Sequence, residues 1–267
     1  YDILNLMLAR PEGIILVTGP TGSGKTTTLY SVLSHMNDES VNIMTLEDPV
    51  EYPITRIRQT SISDGSKIDF SDGVRSLMRQ DPDIILVGEV RDKDTAEMAF
   101  RAAMTGHQVF TTLHTNSALR SFQRIKDLGV SPEVMAGNII GIIAQRLIRR
   151  LCKHCREPVE VVPGGVEARL MGEGAVGRQV YRPHPGGCEA CDFQGYKGRL
   201  AIMELLRMDS GIDELITRNA TQGELSVHAL AHGFTPIAED GLRRVLEGVT
   251  SIEEVGRVVD LTVRLAG

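Results

Sequence analysis

A glycine-rich stretch with one lysine stands near the start of the sequence. It matches the pattern G-x-x-x-x-G-K-[ST] at every position, with an apolar run before it and a helical pattern after it. Glycines let such a loop point its backbone N–H groups at phosphates, at the positive end of the following helix. The predicted nucleotide-binding residues are Gly19, Pro20, Thr21, Gly22, Ser23, Gly24, Lys25, Thr26 and Thr27.

Two residues of this stretch carry the chemistry that a triphosphate site needs. The Lys25 ammonium is expected to reach the β- and γ-phosphates, and the Thr26 hydroxyl is expected to bind Mg²⁺. A glycine turn formed by chance is the alternative, which the flanking strand and helix patterns disfavour. The stretch therefore predicts a site that binds Mg·ATP and hydrolyses it.

Acidic residues follow two further apolar runs. Glu89 ends a run that starts at Ile84, and Glu47 and Glu51 stand at the end of another. Carboxylates at the carboxyl edge of a parallel sheet, where ligands bind in such folds, can hold Mg²⁺ and orient the attacking water. Each of them alone could be a solvated turn charge, but two strand ends at one edge favour a catalytic role.

Two histidines bracket a third apolar run. His107 precedes Val109–Leu113 and His114 follows it. A single histidine is usually structural, but the end of this strand is again expected to face the nucleotide. We therefore expect His114 to sense or orient the γ-phosphate, with His107 as a second catalytic candidate.

All four cysteines occur in two C-x-x-C pairs. Cys152 and Cys155 form the first pair, and Cys188 and Cys191 form the second. Four thiolates make a closed tetrahedral shell suited to structural Zn²⁺, which is typical of a reducing compartment. Redox chemistry of the C-x-x-C pairs is the rival interpretation.

The elements that must position these residues alternate along the first 150 residues. Short β-branched runs predict strands and longer periodic patterns predict helices, so we expect the α/β fold class, with a parallel sheet covered on both faces. The predicted strands are Ile14–Thr18, Val41–Leu46, Ile84–Val87 and Val109–Leu113, and the predicted helices are Gly24–Met36, Ser71–Arg79, Asp94–Met104, Ser117–Leu128 and Pro132–Leu147.

The character of the sequence changes at the cysteines. From Cys152 to Arg199, frequent glycines and prolines predict a small insertion that a bound metal holds together. We expect little regular secondary structure in it and a mobile middle. A strand, Leu200–Leu206, and four helices are expected after it, and Ser251 with Glu254 predicts a capping box for the last helix. The predicted helices are Asp213–Arg218, Gly223–His232, Ile237–Glu247 and Ile252–Leu265.

These changes divide the chain into three expected parts. They are an ATPase core (1–150), a tetracysteine zinc-binding subdomain (151–198) and a mainly helical subdomain (199–267).

The composition is that of an ordinary globular protein with a slight acidic excess. A formal net charge of −6 disfavours a general nucleic-acid binder, which needs surplus lysine and arginine. No apolar run approaches the roughly 20 residues of a membrane span, and we see no signal peptide before the first strand, so we expect a cytoplasmic protein. The sequence begins at Tyr1 rather than Met, and we expect it to be a piece of a longer chain.

The motifs occur in the order of a known enzyme family. The glycine-rich loop, Glu47–Glu51, Asp81–Asp92 and Thr105–Asn116 resemble the Walker A, Asp box, Walker B and His box of the secretion ATPases, which power type II secretion and type IV pilus assembly. The resemblance covers nearly the whole chain and includes Gln145–Leu147, Gly195–Arg199 and Glu239–Gly241.

The resemblance implies a RecA-like fold and roles for several residues. It makes Glu51 the candidate general base, with Glu47 second, and it makes Glu89 the carboxylate that organises Mg²⁺ and water. It matches Arg75 and Arg79 to the arginines that precede the Walker B strand. In the assembly branch of the family four cysteines bind zinc, and the retraction branch usually lacks them.

The resemblance also implies partners. Family members form hexameric rings that push on an inner-membrane platform protein, so we expect a homo-hexamer associated peripherally with the inner membrane. They carry an N-terminal domain that closes over the nucleotide and contributes arginines, and without it we expect poor hydrolysis. Ser117, where many members have Asp, and Ser61–Ile68 depart from the family pattern, which leaves open whether the pathway is secretion or pilus assembly.

Two other function classes stay in view. A nucleic-acid-translocating hexameric P-loop ATPase is the first, and the acidic balance, few aromatics and lack of tryptophan count against it. A catalytically silent nucleotide-binding scaffold is the second, and intact Lys25, Thr26, Glu51 and Glu89 count against that.

A run of basic residues without an intervening acid surrounds the first cysteine pair. Most such runs are solvated, and the alternative is contact with anionic lipid or an acidic partner at a membrane surface. The residues are Arg146, Arg149, Arg150, Lys153 and Arg156.

Overall fold

Strands and helices alternate in the first part of the chain, as predicted. The computed structural model describes residues 2–62 and 69–265, so most of the divergent segment Ser61–Ile68 lies outside the described residues. The strands are β1 (Gly13–Thr18), β2 (Ile43–Glu47), β3 (Arg58–Ser61), β4 (Ile84–Val87), β5 (Gln108–Leu113) and β6 (Ile139–Leu151). The helices are α1 (Asp2–Leu8), α2 (Lys25–Met36), α3 (Phe70–Leu77), α4 (Lys93–Met104), α5 (Arg120–Asp127) and α6 (Pro132–Met135).

The second part contains a short hairpin, one long strand and a series of helices. Its strands are β7 (Glu157–Glu160), β8 (Gln179–Arg182) and β9 (Tyr196–Arg207). Its helices are α7 (Val166–Met171), α8 (Ser210–Thr217), α9 (Gln222–Ala231), α10 (Ile237–Leu246) and α11 (Ile252–Val258), with 3₁₀ turns at Glu173–Ala175, Glu189–Cys191 and Thr262–Arg264.

Seven strands form one sheet in the order β3-β2-β4-β5-β1-β6-β9. The pairs β2–β3, β2–β4, β4–β5, β1–β5 and β1–β6 are all parallel. Every residue of β1, β2, β4 and β5 is buried, as expected for a parallel sheet whose two faces are both covered. The predicted α/β fold class and the four predicted strands of the core are therefore confirmed.

The predicted helix Pro132–Leu147 is wrong. Only α6 is helical there, and Gly137, at φ 77°, follows it before the chain enters β6. The run Ile139–Ile143 is rich in β-branched side chains that fit a pleated, buried surface. It pairs with β1, where Ile14 stands opposite Ile139 and Leu16 opposite Ile142.

The insertion between the cysteine pairs holds more regular structure than predicted. Strands β7 and β8 pair antiparallel, with Glu157 opposite Arg182 and Glu160 opposite Gln179. A small core that includes Val161, Leu170 and Val180 packs beneath them. Because these apolar side chains are few and widely spaced in the sequence, they do not produce a clear periodic signal.

The chain forms two compact units, each of which combines two separate stretches of the sequence. The first unit comprises the chain up to Ala144 together with Leu205–Phe234, and the second comprises Gln145–Glu204 together with the chain from Thr235. The long strands β6 and β9 each continue from one unit into the other. The division into consecutive parts (1–150, 151–198 and 199–267) stays a prediction.

The last predicted helix is shorter than expected. Helix α11 ends at Val258, and Ser251 caps it by accepting a hydrogen bond from the Glu254 N–H. The Glu254 carboxylate does not complete a capping box but accepts hydrogen bonds from the Arg149 and Arg257 side chains at 2.7 Å each. No helix in the described ranges is both long enough and apolar enough to cross a membrane.

Candidate functional site

The glycine-rich loop joins the end of β1 to the start of α2. Gly22 and Gly24 have φ values of 77° and 87°, a conformation that favours glycine. The Ser23 N–H donates to the Pro20 carbonyl at 3.2 Å and closes a turn. The Lys25 ammonium lies across the loop and donates to the Gly19 and Pro20 carbonyls at 2.9 and 3.2 Å.

The first turn of α2 faces this loop. Gly24 is the N-cap residue and has no side chain with which to cap the helix. The N–H groups of the first turn and the positive end of the helix dipole therefore suit an anion. Thr26 and Thr27 are exposed on this turn.

Strand β5 lies between the loop strand β1 and the acidic strand β4. Thr18 stands opposite Leu113, so β1 and β5 end at the same level, and Val87 stands opposite Thr111, so β4 ends two residues earlier at the same edge. The Thr115 N–H donates to the Thr18 hydroxyl at 2.8 Å, which ties the start of the loop to the end of β5. Since neighbouring strands are about 4.8 Å apart, the ends of β1 and β4 are roughly 10 Å apart.

Glu89 and His114 meet at this edge. The His114 Nε2 lies 3.7 Å from a Glu89 carboxylate oxygen, and the Arg91 guanidinium forms an ion pair with the other oxygen. The Glu89 side chain is 14% exposed and His114 is half exposed. The structure thus brings together two of the predicted catalytic residues.

Glu47 lies on the neighbouring strand end but is enclosed. Its carboxylate accepts hydrogen bonds from the Tyr30 and Thr45 hydroxyls, and from the Gln59 side-chain amide at 3.4 Å. Only 4% of the residue is exposed. Burial and the hydrogen bond to Glu47 raise the pKa of Tyr30 to about 12, so the phenol is a hydrogen-bond donor at neutral pH. This geometry suits Glu47 for positioning rather than for proton transfer.

Glu51 is exposed beside the same phenol. The Tyr30 hydroxyl accepts a hydrogen bond from the Glu51 N–H at 3.2 Å and one from the Gln59 amide at 3.3 Å. The Tyr30 ring packs edge-on against Tyr52 with centroids 4.7 Å apart. The Glu51 backbone is thereby held near Glu47 while its side chain stays accessible to solvent.

His107 lies at the other end of β5. It immediately precedes the first residue of that strand, whereas His114 immediately follows the last. Its Nδ1 donates to the Ala102 carbonyl at 2.9 Å, which closes the end of α4. A six-residue strand separates the two histidines by about 20 Å, so the structure does not bring His107 to the edge that carries Glu89.

Arg75 and Arg79 lie on α3 and just after it. The Arg75 guanidinium pairs with Asp72 one turn earlier at 3.3 Å, and both side chains are more than half exposed. This arrangement is that of a solvated helix face.

The four cysteines converge in the second unit. Their sulfur atoms all lie within 4.8 Å of one another. The Cys152–Cys188 and Cys155–Cys191 sulfurs are 3.8 and 3.9 Å apart, which is too far for a disulfide bond. The four thiols are free.

The spacing of these sulfurs fits a metal. Four thiolates about 2.3 Å from a tetrahedral Zn²⁺ are about 3.8 Å apart. The Cys188 and Gly195 N–H groups each donate to the Cys191 sulfur at 3.2 Å. Hydrogen bonds from the Cys188 and Gly195 N–H groups lower the pKa of Cys191 to about 6, whereas burial raises the pKa of Cys155 to about 12. The geometry therefore favours a metal over the redox interpretation.

The basic run is mostly engaged within the second unit. Burial lowers the pKa of Arg146, and the charge of Glu204 opposes this effect. Arg149 binds the buried Glu254 and stacks over Tyr196, with its guanidinium carbon 4.1 Å from the ring centroid.

The other three basic residues of the run differ in their surroundings. Arg156 stacks over Tyr181 at 4.0 Å, while Arg150 and Lys153 are exposed. Several members of the run are therefore engaged in contacts within the second unit, and lipid contact stays a prediction.

Sequence reasoning missed the residues that support the acidic groups. Tyr30 lies on the apolar face of a predicted helix, which gave no reason to expect a role for its hydroxyl. Neither Thr45 nor Gln59 belongs to a recognised motif. Arg91 stood within the Walker B segment, but nothing in its spacing indicated an ion pair with Glu89. Such contacts depend on the order of strands in the sheet, which one sequence does not display.

The chain matches a protein family over most of its length. The family model described as "Type II/IV secretion system protein" matches residues 1–257. A "Type II secretion system protein E" of Dickeya dadantii (strain 3937) is 46% identical over 256 residues, 96% of this chain and 50% of that protein. A "Type IV pilus assembly ATPase TfpB" of Acinetobacter baylyi is 48% identical over 252 residues, 94% of this chain and 43% of that protein. The chain thus spans about half the length of the relatives it matches.

A solved structure shares the fold. The structure described as "Crystal Structure of the Pilus Retraction Motor PilT and Bound ADP" superposes with a TM-score of 0.72 at 30% identity, and covers 97% of this chain and 65% of that one. The fold, the order of the motifs and the family match agree with one another. This chain belongs to the type II/IV secretion system protein family.

Proposed function

We propose that this chain is the ATP-hydrolysing motor domain of a type II secretion or type IV pilus assembly ATPase. The observation that carries the proposal is the convergence of the glycine-rich loop, Glu89 and His114 at one edge of the sheet. The names of the relatives, which include a secretion protein E and a pilus assembly ATPase, support the same function.

The loop binds the triphosphate. Backbone N–H groups of the loop between Thr21 and Thr27 surround the β-phosphate, and Lys25 leaves the Gly19 and Pro20 carbonyls to bind the β- and γ-phosphates. The Thr26 hydroxyl and Glu89 hold Mg²⁺, which neutralises charge on the phosphate oxygens. His114 contacts the γ-phosphate from beside Glu89.

Glu51 acts as the general base. Its exposed side chain can reach water, and its backbone is held by Tyr30. Glu47, enclosed by hydroxyl donors, keeps Tyr30 in place. His107 is too far along β5 to join this group, and a catalytic role for it stays a prediction without structural support.

The tetracysteine cluster holds a structural Zn²⁺. The donor set and the sulfur separations of 3.8 and 3.9 Å suit this ion. A closed shell of four thiolates leaves no position for substrate, so this metal stabilises the second unit rather than taking part in hydrolysis.

The motor works as part of an assembly. By analogy with its family, the chain acts in a homo-hexameric ring that transmits the cycle of ATP hydrolysis to an inner-membrane platform protein from the cytoplasmic side. The net charge of −6 and the lack of tryptophan count against nucleic acid as its substrate.

Replacing Lys25 tests the assignment. Lys25→Ala removes the ammonium that binds the β- and γ-phosphates, so we expect turnover to fall by about 100-fold or more. Lys126→Ala is the matched control, because Lys126 contacts the exposed Asn219 and lies outside the site. Steady-state phosphate release from the full-length protein measures both, and circular dichroism checks folding. Undiminished turnover in Lys25→Ala would overturn the proposal.

A further inference from the structure

Two histidines and one aspartate cluster in the first unit, away from the strand ends that carry the catalytic residues. Asp209 is the N-cap residue of α8, His228 lies on α9, and His232 is the C-cap residue of α9. One ligand atom of each lies within 4.8 Å of the others. The mechanism proposed above uses none of them.

The contacts bring the donor atoms to one place. The His228 Nε2 lies 2.9 and 3.1 Å from the two Asp209 oxygens. The rings of His228 and His232 stack with centroids 4.0 Å apart and planes at 19°. Histidines at positions i and i+4 of a helix share one face, the spacing that metal-binding helices use.

The orientation of His232 leaves a donor atom available. Its Nδ1 lies 2.8 Å from the His228 carbonyl, so Nδ1 carries the proton and donates. The remaining nitrogen, Nε2, then keeps its lone pair. A hydrogen bond from one ring nitrogen to a backbone carbonyl is the usual way in which proteins fix the tautomer of a metal-binding histidine.

The other two groups are held firmly. The Asp209 carboxylate caps α8 by accepting from the Ile212 N–H at 2.8 Å. Burial would raise the pKa of Asp209, but hydrogen bonds from Ile212 and His228 outweigh it, so the pKa is lowered and the group is ionised at neutral pH. Gly211 makes room for the His228 ring, since a Cβ there would lie 2.2 Å from the ring carbon Cε1.

We infer that Asp209, His228 and His232 form a second metal site, for a divalent first-row transition ion such as Zn²⁺. Two imidazole nitrogens and one carboxylate oxygen favour such an ion over Mg²⁺ or Ca²⁺, which prefer oxygen ligands. Two ligands of a tetrahedral Zn²⁺ are about 3.3 Å apart, close to the 2.9 and 3.1 Å between His228 and Asp209. A bound ion would displace the proton shared by His228 and Asp209, and the exposed His232 ring would have to turn to bring its Nε2 to the ion.

Three protein ligands leave one coordination position for water. The tetracysteine cluster is closed by comparison, so the two sites differ in ligand softness as well as in place. A bound ion would fasten α9 to the N-terminus of α8. The alternative is that Asp209 and His228 form a structural ion pair only.

Metal titration of the full chain separates these alternatives. The protein is first loaded with one equivalent of Zn²⁺, which the four thiolates take because of their higher affinity, and Co²⁺ is then titrated by calorimetry and absorption. We expect one further equivalent whose spectrum lacks thiolate charge-transfer bands. Binding of no further equivalent, or bands typical of thiolate ligands only, would overturn the inference.

Matched variants identify the ligands. His232→Ala removes an exposed ligand and Asp209→Asn keeps a good helix cap, so both should fold while binding Co²⁺ about tenfold or more weakly. His35→Ala, at an exposed histidine of α2 outside the cluster, is the control and should bind like wild type. Wild-type affinity in His232→Ala would show that the cluster is not the site. The assay contains no ATP, so its outcome is independent of the proposed ATPase activity.

Discussion

The phenol of Tyr30 joins two acidic residues that stand four positions apart in the sequence. It donates to the Glu47 carboxylate and accepts from the Glu51 N–H. Glu47 is thereby satisfied and enclosed, whereas the Glu51 side chain is exposed. The two glutamates therefore have different tasks, although a motif alone treats them as alternatives.

Separate glutamine substitutions test this division. Glu51→Gln should lower kcat by about 100-fold or more, as expected for loss of a general base, with the free energy of unfolding within about 0.5 kcal/mol of wild type. Glu47→Gln should lower the free energy of unfolding by about 1–3 kcal/mol, because the amide N–H₂ only donates and one of the two hydroxyls loses its acceptor. Steady-state turnover and urea unfolding measure the two effects. The assignment fails if Glu51→Gln turns over normally while Glu47→Gln is stable and inactive.

The sequence was sufficient to predict those site residues whose position is set by the end of a strand. The glycine loop, Glu89 and His114 each come directly after a buried apolar run, and parallel strands place such ends at one edge. His107 and His114 flank the same run at opposite ends, and the strand direction already favoured His114, which follows the run, over His107, which precedes it. Tyr30 was not predictable because its hydroxyl acts from the otherwise apolar face of α2.

At the scale of elements, β6 shows a case in which the spacing of apolar residues does not distinguish a strand from a helix. Ile139–Ala144 is buried at every position, and a continuous apolar run fits a buried helix as well as a central strand. The β-branched isoleucines and the preceding Gly137 favoured the strand, but the length of the run suggested a helix. The start of α4, which Asp92 caps, was predicted to within one residue, whereas α8, which Asp209 caps, begins at Ser210 rather than at the predicted Asp213.

Gly141 tests the tight packing of this strand. A Cβ at this position would lie 2.4 Å from the Met7 methyl carbon and 2.8 Å from the Leu206 carbonyl. Gly141→Ala should therefore lower the free energy of unfolding by about 1–3 kcal/mol through overpacking. Gly223→Ala on the exposed first turn of α9 is the control, and it should be neutral or stabilise by up to about 1 kcal/mol. Equal stability of the two variants in urea would contradict the packing described for β6.

At the scale of the whole molecule, the two units rest on different sources of stability. The first unit has a large core around the buried strands β1, β2, β4 and β5, whereas the second has a smaller core and the tetracysteine cluster. Small cores commonly need a metal or a disulfide to fold. The second unit should therefore depend on zinc.

Removing one thiolate tests that dependence. Cys188→Ser should abolish binding of Zn²⁺ at the tetracysteine cluster and lower the stability of the second unit by more than about 3 kcal/mol, since structural zinc supplies roughly 10–16 kcal/mol of binding free energy. His154→Ala, between two of the ligands but exposed, should keep the metal. Elemental analysis and thermal unfolding measure both. Full stability of the metal-free Cys188→Ser chain would contradict a structural role.

The most direct test of the motor assignment is steady-state ATP hydrolysis by the full-length protein that contains this chain, beside its Glu89→Gln form, with and without DNA and anionic lipid. Glu89 is the carboxylate that meets His114 and Arg91 at the strand ends. We predict that Glu89→Gln binds ATP but turns over at least about 100-fold more slowly, and that DNA does not stimulate the wild type. Wild-type turnover in Glu89→Gln, or strong stimulation by DNA, would contradict the account and favour a scaffold or a nucleic-acid translocase.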